Sequence, residues 1–374
     1  MKFLHKIRSE LETPREARPF GSGWISGSLA LLAGIVGALM VVVLRNPSLT
    51  SVPELAAVHQ SVVFRLALYF VLMSGFMLAA LSLVLRRDKT LGTAAMLVTL
   101  LATMIGSLPA HRDIQIGGMF FGIDFFILNV LFTGFLFIPI ERPFAQNRTQ
   151  EIFREEWRED LFYYLVSSLF VQILTYLTLA PSNFVIHAND LGAVRTWVRG
   201  LPWIVQLVAI MLLTDIAQYW LHRAFHRVPF LWGFHSVHHS ARSMDWIAGA
   251  RMHFVEIIVL RSVTATPALV IGFEESAIQA YMLIVYVYST FIHSNLRGSF
   301  GFLEKILVVP RFHHWHHGIE EEAADVNFSI HFPFIDRLFG THHLPDGKWP
   351  AAYGVAGHPV PRGYWKQLLY PFRR

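Results

Sequence analysis

The residues of this chain best suited to chemistry are histidines, and their spacing is ordered. They read His222-Arg-Ala-Phe-His226, His235-Ser-Val-His238-His239 and His313-His-Trp-His316-His317. Fourteen of the nineteen histidines fall between His222 and His343. Neutral imidazole is a strong ligand for iron, zinc and copper. The pattern is one HxxxH box and two HxxHH boxes. On a helix, residues four apart share a face, and i, i+3, i+4 places three nitrogens on one side of a turn. Eight imidazoles divided between two metal ions leave about four for each, with room for a substrate oxygen. Ordinary surface histidines do not explain three spaced boxes just beyond apolar segments. His5, His59, His111, His187 and His358 are isolated and read as ordinary.

The segments that must position these boxes are apolar. Hydrophobic residues make up 54% of the chain and charged ones 15%, with a mean hydropathy of +0.44. Soluble domains carry about 25% charged residues, so the composition is that of a membrane protein. There is no cysteine, which excludes disulfides, thiolate-bound zinc, a thiolate nucleophile and an iron–sulfur cluster of the chain's own. The net charge is +5. Its basic residues flank apolar segments instead of forming one patch, which argues against a nucleic-acid partner.

Apolar runs long enough to span about 30 Å of hydrocarbon are expected near residues 24–44, 66–85, 91–108, 119–140, 161–179 and 201–221. The first starts too late and runs too long for a cleaved signal; its Gly27, Gly34 and Gly37 suit ordinary or close helix packing. Residues 254–271 and 277–292 suit a hairpin into or across the bilayer, with Arg261 pointing to tilted or incomplete insertion. The basic residues Arg86, Arg87 and Lys89 and the charged stretch 141–160 fall on the N-terminal side of the alternating helices, which the positive-inside rule places in the cytoplasm. In that stretch Phe153 and Trp157, four apart, suit a short interfacial helix. His222 then emerges at the cytoplasmic end of its helix. Asp215, seven residues before it, shares its face; an intramembrane carboxylate needs a polar partner. The expected partner is the ring N–H of a metal-binding histidine, the alternative a structural pair with Gln218, Tyr219 or another helix. The expected fold is all-α, a polytopic membrane protein with roughly six to eight membrane segments and a cytoplasmic helical cap holding a histidine-rich dimetal centre. Residues 1–150 form a membrane unit of about four helices, 151–345 the catalytic domain, and 346–374 a tail whose aromatic and basic residues suit an anionic membrane surface.

The run from Asp215 through His222-Arg-Ala-Phe-His226, then Leu231-Trp-Gly-Phe-His235-Ser-Val-His238-His239-Ser240, resembles the fatty acid hydroxylase/sterol desaturase superfamily. So do Phe291-Ile-His293-Ser-Asn295, Pro310-Arg-Phe-His313-His-Trp-His316-His317-Gly318, and the stretch from Asn327 to Asp336-Arg-Leu-Phe-Gly-Thr341. The resemblance covers about residues 155–345 and not residues 1–150. It implies His293 as a further ligand, with Asn295 as a weaker ligand or water holder. His253, in Arg251-Met-His-Phe-Val-Glu256, matches a family stretch that usually has proline after the histidine; Phe254 departs from it. His253 and Glu256 are therefore expected to support ligands. His314 lies between ligand positions, and His342 and His343 stand where the family has an aromatic; none of the three is expected to bind metal.

An unactivated C–H bond offers no acidic proton to a side chain. Breaking it requires an oxidant made from O2 at a redox metal with open positions. The resemblance implies two iron ions, O2 as co-substrate and a lipid substrate, with the site at the cytoplasmic face. With no cysteine, no flavin-binding glycine motif and one His-Pro without a haem-binding continuation, the chain implies an external electron donor: a ferredoxin, cytochrome or reductase. The favoured reading is a lipid hydroxylase acting on an acyl, alkyl-ether, sterol or carotenoid C–H bond. Arg227 follows the HxxxH box where some lipid monooxygenases of the family have an acidic residue. A desaturase using the same centre is the alternative. A metal carrier or transporter is a second alternative, although its histidines should lie near the middle of several helices. Compact size and the lack of organelle signals point to a bacterial inner membrane over an endoplasmic-reticulum membrane.

Overall fold

The structure is a computed structural model that describes residues 2–46, 61–107, 123–189, 191–298, 300–357 and 360–373. His59, His111 and His358 and the start of the run at 119–140 lie outside them. Among the described residues no strand forms; there are only two isolated bridges, Ala145–Leu296 and Gly318–Tyr353. The fold is all-α. Its contacts divide into two units, one of residues 1–142 with 148–152 and one of 143–147 with 153–374.

The first unit comprises α1 (Lys2–Leu11), α2 (Trp24–Arg45), α3 (Val62–Leu85), α4 (Thr90–Ser107) and most of α5 (Ile123–Phe144). The glycines of α2 do permit close approach. A Cβ at Gly27 would meet Ser82 Oγ of α3 at 2.5 Å, and one at Gly34 would meet Thr99 Oγ1 of α4 at 2.8 Å. On α3 the opposite face exposes Leu66, Tyr69, Phe70, Met73 and Met77. Large apolar chains outside and small residues inside is the arrangement of helices solvated by lipid.

The second unit contains α6 (Trp157–Leu169), α7 (Val171–Ala188), α8 (Gly192–Arg199), α9 (Trp203–Arg227), α10 (Pro229–His239), α11 (Phe254–Ile271), α12 (Glu275–His293), α13 (Pro310–His316), α14 (Pro333–Leu338) and α15 (Tyr364–Leu369). Helix α9 buries Gln206, Ile210, Thr214, Asp215, Gln218, Tyr219 and His222 and exposes Ile204, Val205, Val208, Ile216 and Trp220. This i, i+3/i+4 stripe is polar inside and apolar outside. Trp203 and Trp220, both exposed, lie about 26 Å apart at 1.5 Å per residue, matching the hydrocarbon thickness that interfacial tryptophans bracket. His222 comes directly after that boundary.

Four described helices, α2, α3, α9 and α11, are long and apolar enough to cross a membrane. The span expected at 161–179 is instead a helix pair bent by 59° at its break. The second arm of the expected hairpin, α12, carries Gln279, Tyr281, Tyr286, Tyr288, Ser289 and Thr290 and falls short of that apolarity. Its turn from α11 is made at Gly272, with φ 80, a conformation glycine adopts without strain. No helix forms over residues 145–156, contrary to the interfacial helix expected there. Phe153 and Trp157 do meet, with ring centroids 5.2 Å apart. However, Arg154 and Glu156 turn inward to ion pairs, and their partners decide the backbone path. The C-terminal helix α15 packs into this unit, where Gln367 Oε1 accepts from Tyr163 O–H at 2.7 Å.

Candidate metal centre

The C-terminal ends of four helices deliver the histidines. His222 and His226 sit on the last turns of α9. That helix stops because Val228 precedes Pro229 and leaves the α region, at φ −96 and ψ 113; the residue before proline is driven to extended backbone. Pro229 then opens α10, which carries His235, His238 and His239. Pro310 likewise opens α13 with His313 and His316, and His317 is its C-cap. Proline at the first helical position is pre-set for the turn that follows. His293 ends α12.

Nine histidines converge in two groups. In each group the donor nitrogens lie within 4.8 Å of one another: His222, His226, His235, His239 and His316 in one, His238, His293, His313 and His317 in the other. Each HxxHH box is divided between the groups. His235 and His239, at i and i+4, join the first and His238, at i+3, the second; His313 and His317 join the second and His316 the first. The groups adjoin, with the His239 and His317 rings stacked at 4.3 Å. Eight of the nine are buried, and the His226 side chain is 7% exposed.

The outer nitrogens fix the chemistry of the inner ones. Nδ1–H of His238 donates to Arg251 O at 3.0 Å and Nδ1–H of His293 to Ser289 O at 2.7 Å. A carbonyl only accepts, so both neutral rings present a lone pair at Nε2. Those two nitrogens are 3.3 Å apart. His222 and His235 repeat the arrangement: their Nδ1–H groups donate to Phe328 O at 2.9 Å and Glu256 Oε1 at 2.6 Å, and their Nε2 atoms meet at 3.0 Å. His316 donates through Nδ1 to Val326 O at 2.7 Å and faces His239 Nε2 at 3.1 Å. Lone pair facing lone pair in a buried space is unfavourable unless a cation lies between. His226 Nε2 is likewise buried without a partner among the described residues. The donor set fits two divalent transition metals that accept imidazole. Protonation offers no escape: burial first, then the neighbouring rings, hold His235, His239, His313 and His317 well below the ordinary 6.5.

Of the four residues expected to support the centre, Glu256 bonds directly to a histidine of the groups, accepting from His235. Asp215 takes another part. Its carboxylate accepts from the backbone N–H of Ile330, His331 and Phe332 at 2.8, 3.1 and 2.7 Å; three amides offer more bonds than one ring N–H, and the loop reaches it first. Asn295 grips the backbone of Asn147, accepting at 2.8 Å and donating at 3.1 Å. His253 caps α11 by accepting from Val255 N–H at 3.1 Å and donates through Nε2 to Leu368 O at 3.0 Å. His314 lies apart from both groups, donating to Ser294 O at 3.1 Å.

Sequence reasoning missed what orients the rings. Asp325 lies 3.6 Å from His226 Nδ1, and Asp336 accepts from the N–H of Phe328 and Ser329 at 2.8 and 2.9 Å. Backbone carbonyls, which hold four rings, carry no residue-type signal. Behind His238 stands a buried charge network. Arg154 pairs with Asp245 at 2.6 Å and with Asp160, and Arg251 pairs with Asp160 at 2.5 Å and Glu156 at 3.2 Å. Each guanidinium meets two carboxylates, as a buried charge requires, and the backbone carrying the Arg251 carbonyl is thereby fixed.

Residues 207–341 match the family model described as fatty acid hydroxylase. That range holds all nine grouped histidines. The chain is similar to the ornithine lipid hydroxylase OlsE of Rhizobium tropici, 27% identical over 178 residues, covering 48% of this chain and 54% of that protein. It is similar to the alkylglycerol monooxygenases of Homo sapiens, 29% identical over 146 residues, and Xenopus tropicalis, 30% identical over 159 residues. These two alignments cover 39% and 42% of this chain and 32% and 34% of those proteins. The chain thus spans about half the length of the first relative and a third of the other two. No solved structure matches it. Residues 207–341, which carry the ordered histidine boxes, thus match a fatty acid hydroxylase domain, and the matches to lipid hydroxylases and monooxygenases support the fatty acid hydroxylase superfamily.

Proposed function

We propose that this protein is a membrane-bound, O2-dependent di-iron hydroxylase that inserts oxygen into a C–H bond of a lipid. His222, His226, His235, His239 and His316 would hold one iron, and His238, His293, His313 and His317 the other. The observation that carries the reading is the convergence of nine imidazoles, eight of which bring Nε2 within 3.0–3.3 Å of the Nε2 of a neighbouring ring. Two irons supply, when bound, the activation of O2 that an unactivated C–H bond requires.

The chain's own residues do the rest. Glu256 and the carbonyls of Ser289, Arg251, Val326 and Phe328 hold the proton on Nδ1, so that each Nε2 is kept as a donor. Burial keeps bulk water from the centre. The outward apolar face of α9 would anchor it in lipid, and the Trp203–Trp220 spacing supports a position of the histidines at one membrane boundary, where a lipid chain and an aqueous electron donor could both reach them. We place that boundary on the cytoplasmic side. Relatives named for hydroxylating ornithine lipid and oxidising alkylglycerol support a lipid as substrate.

The test is to incubate detergent-purified, iron-loaded protein with a membrane lipid extract, a reduced ferredoxin system and isotopically labelled O2. One labelled oxygen atom in a lipid product is expected. Loss of two hydrogens without oxygen would identify a desaturase instead, and no O2-dependent product from iron-replete protein would contradict both.

A further inference from the structure

The two histidine groups are held in unequal ways. We propose that the segment 325–332 is a preformed cradle for the five-histidine position, so that this position binds metal first and the four-histidine position is the exchangeable one. This rests on the dimetal reading above.

Three residues of that segment meet three rings of the five-histidine group. The Asp325 carboxylate lies 3.6 Å from His226 Nδ1, Val326 O accepts from His316 at 2.7 Å and Phe328 O accepts from His222 at 2.9 Å. The segment bends through two left-handed residues, Asp325 with φ 57 and Asn327 with φ 59. Such backbone persists at a non-glycine residue only where its surroundings hold it. They do: Asn327 Nδ2 donates to Phe312 O at 2.9 Å and His343 O at 2.7 Å. Asp336 and Asp215 together take the five amides from Phe328 to Phe332. The cradle is therefore tied without reference to any ion.

The four-histidine group has no counterpart. Only His238 and His293 are held at Nδ1, while the Nδ1 atoms of His313 and His317 are buried with no partner among the described residues. Metal binding there must act on two rings whose outer nitrogens no hydrogen bond orients among the described residues. The carboxylates also favour the five-histidine group, since Glu256 and Asp325 both face its rings. Outer hydrogen-bond partners of ligating histidines change metal affinity by about 10–100-fold, enough to separate the positions.

The experiment is anaerobic titration of Fe2+ into chelator-stripped full-length protein against a competing chromophoric chelator. Two steps are expected, the first at least about tenfold tighter. His313→Ala should keep the tight step and lose the weak one. Asp325→Asn should weaken the tight step, narrowing its separation from the weak one, and leave the weak step unchanged; asparagine tolerates the left-handed backbone there. Two indistinguishable steps, or an Asp325→Asn effect on the weak step alone, would overturn the inference while leaving the dimetal reading intact. Folded protein that binds no Fe2+ would overturn both.

Discussion

His238 and His293 show why single residues matter here. Each gives its only ring proton to a backbone carbonyl, so what faces inward is a donor lone pair. The backbone of Gly249 lies against this pair: a Cβ there would stand 2.9 Å from His293 Nδ1. Gly249→Ala should therefore displace His293 and lower metal content to about one ion per chain, with the fold retained by circular dichroism. Two ions in that variant would show that the ring position is not constrained. The depressed basicity of His235, His239, His313, His316 and His317 has a sign that can be checked. Folding keeps these rings neutral, whereas the unfolded chain takes up protons below about pH 6.5. The stability of stripped protein should thus be complete above about 6.5 and fall on acidification, by up to ~1.4 kcal/mol per pH unit for each such ring. Thermal unfolding in detergent at about pH 7.5 and pH 5 measures it. An unchanged midpoint would mean that the rings are not neutral in the fold.

At the scale of elements, histidine type and spacing were legible, and so was the delivery of His222 by an apolar helix. The division of each HxxHH box was not, because which neighbour an i+3 ring meets depends on the crossing of α10 and α13. Asp215 was legible as a carboxylate needing a partner, but that partner is a run of amides, and amides are the same in every sequence. Its removal is informative for the same reason. Asp215→Ala leaves three N–H groups at Ile330, His331 and Phe332 without their acceptor, which should cost about 2–5 kcal/mol and be read as a lowered unfolding midpoint in detergent. Asp215→Asn, which keeps one acceptor oxygen, should lose less. Equal midpoints for Asp215→Ala and wild type would show that the segment 330–332 is held by other means. The stretch 141–160 misled for a related reason: Arg154 and Glu156 look like the polar side of a surface helix until Asp245 and Arg251, about ninety residues away, claim them.

For the molecule as a whole, composition identified the solvent and the boxes identified the chemistry. The bent pair α6–α7 was beyond composition, since its apolar length alone reads as one span. Orientation can be tested without removing native thiols, because the chain has no cysteine. Arg242→Cys, on an exposed residue three past His239, and Trp197→Cys, on α8 shortly before the start of α9 and 67% exposed, should react with a membrane-impermeant maleimide from opposite sides. Arg242→Cys should be labelled only in inside-out vesicles; labelling in intact cells would place the histidines on the outer face. The account depends most on the two ions themselves. The direct measurement is metal content and identity per chain for protein purified from iron-replete cells, wild type beside His316→Ala. The account predicts about two irons in the wild type and a clear loss in the variant. One ion or none in well-folded wild-type protein, or two that survive the substitution undiminished, would contradict it.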